Sequence, residues 1–124
     1  MLPLSTLDKE LWRQLNDDYL QRISKKYLEF IKSNDNMSKK LASRWIMKKL
    51  LRTSFGIIIE KVDFFENDID WLVDILCIMF PCNKEIIKYI WDLVNNPTVD
   101  KNVVDSILKI YLPWLKKEWD IIYS

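Results

Sequence analysis

The chain has 124 residues, 49% hydrophobic and 30% charged, with 19 Lys and Arg against 18 Asp and Glu. That length suits one domain able to bury about two-thirds of its unfolded surface, and the hydrophobic content excludes a disordered chain, while near-neutral charge argues against a dominant affinity for nucleic acid or acidic lipid. The absence of His removes the commonest general base and metal ligand, and a lone glycine, Gly56, leaves no phosphate-cradling loop.

Ser5, with Asp8 three residues later, predicts a helix start. Leu7, Leu11, Leu15, Tyr19, Ile23, Tyr27, Phe30 and Ile31 then recur at three- and four-residue spacing, which predicts a long amphipathic helix ending at Ser33-Asn34-Asp35-Asn36. Ser38 is expected to cap a second helix through Leu41, Trp45, Ile46, Leu50 and Leu51, with Ser54-Phe55-Gly56 breaking or bending it before residues 57–59 continue. Residues 63–70 are acidic, interrupted by Phe64, Phe65 and Ile69, and read as a short connection.

Residues 69–80 come next, and their second half is apolar on every side, the mark of a helix surrounded by other elements. A buried strand fits so short a run as well; the helical neighbours favour helix. Pro81-Cys82-Asn83 stops it, Asn83 is expected to cap a helix over 84–95, and Asn95-Asn96-Pro97 reads as a turn. Asp100 or Asn102 opens the last segment, with Val104, Ile107, Leu108, Tyr111, Leu115, Trp119 and Ile122 on one face. Pro113 predicts a kink or break there, with a short terminal helix beyond it.

Cys77 and Cys82 are expected to be reduced and buried, because two thiols without His make no ordinary zinc site. Residues 1–5 lack the basic and apolar regions of a signal peptide, and the uncharged run 75–83 is far below the roughly 18 residues that span a bilayer. The expectation is a soluble, intracellular single domain over 1–124, an all-α bundle of six to eight helices with an apolar helix at about 69–80 wrapped by amphipathic ones. No catalytic residue, metal site or cofactor is expected.

Phe64-Phe65-Glu66-Asn67-Asp68-Ile69-Asp70-Trp71-Leu72-Val73 is similar to the first homology region of the Bcl-2 family of apoptosis regulators, where an apolar pair and an acidic turn lead into Asn-Trp-Gly-Arg. Leu112-Pro113-Trp114-Leu115, followed by Trp119 and Tyr123, resembles the second homology region, shortened by about two residues. Residues 12–21 resemble the family's first helix, and 55–62 the helix before the first homology region. The resemblance covers a little under half of the chain. It departs from the family at Asp70 for Asn, Leu72 for Gly, Val73 for Arg, and in lacking the Gly-Gly before the second Trp. Such divergence resembles a virus-encoded homologue.

The resemblance implies a Bcl-2-like bundle without a membrane anchor that inhibits apoptosis, holding the BH3 helix of a pro-apoptotic protein in an apolar groove. The implied ligands are of the Bim type, with Bak and Bax beside them. The implied site is cytoplasmic in a host cell, at mitochondria only through partners, with no membrane insertion and no nucleic acid. Groove walls would come from Trp45, Leu50, Leu51 and Phe55, then Ile58, Ile59 and Phe65. The floor would come from Trp71, Leu72, Val73 and Leu76, with Asp70 also among the implied partner-binding residues. Leu72 adds volume where the family's Gly allows close approach, and Val73 cannot pair with the ligand's Asp, an unpaired carboxylate being costly. Lys40, Arg44, Lys48 and Arg52 recur at four-residue steps as substitute cations, Lys48 and Arg52 foremost. An empty groove also predicts self-association into a homodimer.

Other readings use other residues. Asp63, Glu66, Asp68, Asp70 and Asp74 cluster as an active site would, but capping of the following helix explains Asp68 and Asp70 at less cost. The basic stripe beside Trp45 suits nucleic acid, against which the near-zero net charge argues. The alternative is an unrelated small helical module for protein interaction or nucleic-acid binding.

Overall fold

The computed structural model of the chain describes residues 2–3, 19–58, 64–65 and 69–123, with side chains described over 21–56 and 72–121. Five α-helices run through them: α1 (Tyr19–Lys32), α2 (Asn36–Ile58), α3 (Ile69–Met79), α4 (Lys84–Asn95) and α5 (Lys101–Tyr123). A 3-10 turn, Pro81–Asn83, joins α3 to α4. Among the described residues the one β pairing is antiparallel and two residues long, β1 (Leu2–Pro3) with β2 (Phe64–Phe65), Leu2 opposite Phe65. The fold is all-α. The expected helix start at 5–18 lies outside the described residues, as does most of the acidic connection.

Helix ends follow local hydrogen-bond chemistry. α2 starts two residues before the expected cap Ser38, because Asp35 takes that role. Its carboxylate accepts the amides of Met37 (3.4 Å) and Ser38 (3.1 Å) and the Ser38 hydroxyl (2.9 Å). A carboxylate is the stronger acceptor and also suits the positive end of the helix dipole. Across the same turn the Lys39 ammonium donates to the Phe30 carbonyl at 2.7 Å, filling an acceptor that the end of α1 leaves open. Asp100 caps α5, accepting the Asn102 amide at 2.9 Å. Asn83 stands at the N-cap position of α4 without a side-chain bond, because the 3-10 turn runs straight into the helix and the Lys84 amide bonds the Pro81 carbonyl.

At two expected interruptions the helix continues without a break. α2 continues through Ser54-Phe55-Gly56, where the Ser54 hydroxyl bonds the Leu50 carbonyl at 2.7 Å and pairs with the Tyr111 hydroxyl at 2.5 Å, tying α2 to α5. α5 continues through Pro113. Pro113 and Lys109, whose carbonyl the proline ring leaves without an amide partner, both lie on the exposed face, where water can substitute for that bond.

One core runs through the bundle, drawing Ile23 and Phe30 from α1, Ile46, Leu50 and Leu51 from α2, and Leu72 and Leu76 from α3. Ile87 and Ile90 of α4 and Val104, Tyr111 and Leu115 of α5 complete it. Helix α2 contacts each of the other four helices. The expected central helix at 69–80 is therefore corrected: α3 packs on α2 and α4 with Leu72, Val73 and Leu76 but leaves Asp74 exposed and Ile78 72% exposed. Local hydropathy reports how apolar a segment is, and long-range packing decides which segment is surrounded. The cysteines are also corrected. Both are free, Cys77 half-buried and Cys82 exposed in the 3-10 turn.

Candidate functional site: the exposed face of the second helix

Six of the side chains expected to line a groove are buried. Leu50, Leu51 and Leu76 have no exposed surface, and Phe55, Leu72 and Val73 are buried. They lie on the sides of α2 and α3 that close the core. The side chains of Ile58, Ile59, Phe65, Asp70 and Trp71 lie outside the described residues. Trp45, Lys48 and Arg52 remain at the surface, Trp45 and Lys48 half-buried and Arg52 exposed.

These three belong to one face of α2. Met37, Leu41 and Trp45 stand at i, i+4 and i+8, a single row on a helix. Met37 is 64% exposed and Leu41 60% exposed, so Leu41 is not the core residue that its spacing suggests. A second row runs beside the first: Lys40, Arg44, Lys48 and Arg52, again at four-residue steps, or about 6 Å per step along the axis. Among the described residues no carboxylate lies within ion-pair distance of these four cations. Like charges at i, i+4 each destabilise a helix by about 0.2–0.5 kcal/mol. The row therefore costs stability with nothing in the described chain to offset it.

The electrostatics of Lys48 carry that cost. Burial of its ammonium, and then the charges of Arg44 and Arg52 one turn either side, hold its pKa below the ordinary lysine value. Lys26 of α1 lies 5.6 Å from the centre of the Trp45 ring, a cation–π contact that covers one ring face and joins α1 to the site. Away from this face, Tyr27 of α1 donates to Asp105 of α5 at 2.5 Å, and Lys101 pairs with the same carboxylate. This cluster fixes the packing of the two helices.

Met37 is the residue that sequence reasoning missed. The signal that finds it is the coincidence of two four-residue rows, one apolar and one cationic, on the same helix. Among the described residues no group of three or more His, Cys, Asp or Glu could hold a metal ion, and no helix is long and apolar enough to cross a membrane. Comparison with known proteins returns no matching family model, characterised protein or solved structure.

Proposed function

We propose that the protein acts by binding, and that its ligand is an amphipathic helix of a partner protein laid along the exposed face of α2. The observation that carries this reading is the row Met37, Leu41 and Trp45 on one face of α2, two exposed apolar side chains and a half-buried Trp, flanked by a row of cations. A helix with anchors at i, i+3 or i+4, and i+7 meets such a row along its length. Each aliphatic side chain fully removed from water contributes about 1.5–3 kcal/mol, reduced by the cost of ordering the ligand.

The Bcl-2-like segments give this ligand its identity: the BH3 helix of a pro-apoptotic protein, whose capture inhibits apoptosis. Because Leu50, Leu51, Phe55, Leu72, Val73 and Leu76 are buried, this reading takes the outer side of α2 as the contact surface in place of the expected groove. Calorimetric titration of a Bim-type BH3 peptide tests the reading. The peptide is expected to bind, and Leu41→Glu to weaken it about tenfold or more, the loss of one buried leucine. Because Leu41 is exposed, the variant is expected to fold. Absence of binding across a panel of BH3 peptides would remove the apoptotic reading, and an unchanged affinity in Leu41→Glu would remove this face as the site.

A further inference from the structure

The near-zero net charge of the chain conceals a segregation. Residues 19–58 hold ten Lys and Arg against only Glu29 and Asp35, a net +8, while the other 84 residues hold nine against sixteen, a net −7. Helix α2 has six cations and no acid. Four of the six form the row described above, next to the apolar row, and the described acids leave them without ion pairs.

From this geometry we infer that the helix taken up by α2 is acidic, with carboxylates at four-residue steps in the row beside its apolar anchors. The inference rests on the helix-docking reading of the same face and adds the chemistry of the partner. Two features of the site favour it. Rows at four-residue steps repeat about every 6 Å on any α-helix, so cations on α2 and carboxylates on a ligand stay in register over three turns when the two axes run nearly parallel. The cations also flank the apolar row, where a ligand's charges would sit at the rim of the contact, steering association and rejecting basic helices. A nucleic acid uses this face less well: Met37 and Leu41 offer nothing to phosphates, and one face of the Trp45 ring is already covered by Lys26 rather than open to a base.

Three synthetic helical peptides of about five turns test the inference, all with leucine at i, i+4 and i+8. The neighbouring row carries Glu in one, Gln in the second and Lys in the third, and short single- and double-stranded DNA serves as the competing probe. The Glu peptide is expected to bind about tenfold or more tighter than the Gln peptide at low salt, and the Lys peptide weakest. That advantage should shrink as salt rises from about 0.05 to about 0.5 M. In the triple variant Arg44→Gln, Lys48→Gln, Arg52→Gln the Glu and Gln peptides are expected to bind alike. The salt series on the unaltered protein makes the same test without a variant. Equal binding of the Glu and Gln peptides to the unaltered protein would overturn the acidic partner and leave helix docking standing. Failure of all three peptides would overturn both, and DNA bound more tightly than the Glu peptide would overturn the inference in favour of nucleic acid.

Discussion

Ser43 and Thr53 are buried on α2 with hydroxyls that find no hydrogen-bond partner among the described residues, unlike Ser54, which follows Thr53 and bonds both Leu50 and Tyr111. A buried hydroxyl without a partner costs about 1–3 kcal/mol of desolvation. Thr53→Val keeps the shape and removes the penalty, so it is expected to raise unfolding stability by about 1 kcal/mol, read from the denaturant midpoint. Leu51→Ala should do the opposite, costing about 2–5 kcal/mol, because Leu51 has no exposed surface and its loss opens a cavity at the meeting of the helices. The same contrast shows what single residues disclose in sequence. Leu41 and Leu51 have equal claim to the core by spacing, yet one is 60% exposed and the other buried, because helical periodicity marks an apolar position without saying what covers it. Lys48 and Arg52 are legible as surface groups from the charge row, whereas Trp45, Leu50 and Phe55 share an apolar patterning that does not separate rim from interior.

Among the elements, α4 is the most readable, since turn residues bound it and one face is apolar throughout, whereas α5 reads as two pieces because Pro113 lies inside it. Asp35 is the harder case. Both Asp35 and Ser38 are good cap residues, and the choice depends on which side chain reaches the free amides, a matter of turn geometry. Asp35→Ala is expected to lower the melting temperature and fray the start of α2, seen as lost amide protection at Met37 and Ser38. Within α2 the cationic row predicts a separation of stability from binding. Lys48→Gln removes two like-charge contacts, with Arg44 and Arg52, and the burial of an ammonium. It should stabilise the free protein by about 0.5 kcal/mol while weakening acidic helical ligands. A variant destabilised and weakened together would place Lys48 in a structural role.

For the molecule as a whole, pH reads out its charged contacts from both ends. The Ser38 hydroxyl and the amides of Ser38 and Met37 hold Asp35 below the usual carboxylate range, and Lys101, followed by Tyr27, does the same for Asp105. A depressed carboxylate lends stability that is present above about pH 4 and lost as pH falls through its folded value, so thermal stability should decline below that pH. At the alkaline end burial raises the Tyr111 phenol well above its usual value. Unfolded tyrosine ionises near pH 10, so stability is lost as pH rises past that point, and Tyr111→Phe should reduce this alkaline loss. Lys48 acts against that trend, since its depressed value makes the folded state gain as the ammonium deprotonates. The architecture at this scale was legible as all-α, but the identity of the surrounded helix was not. Among the described elements the most apolar segment, 69–80, packs on α2 and α4, whereas α2, crowded with cations on one face, touches each of the other four helices.

Backbone amide shifts of the protein, followed as a BH3 peptide is added, test the docking of a helix on α2 most directly. The account predicts the largest changes along Met37, Leu41, Arg44, Trp45 and Lys48, with little change at Leu72 to Leu76. Changes confined to the 69–80 helix, with α2 silent at saturating peptide, would contradict it.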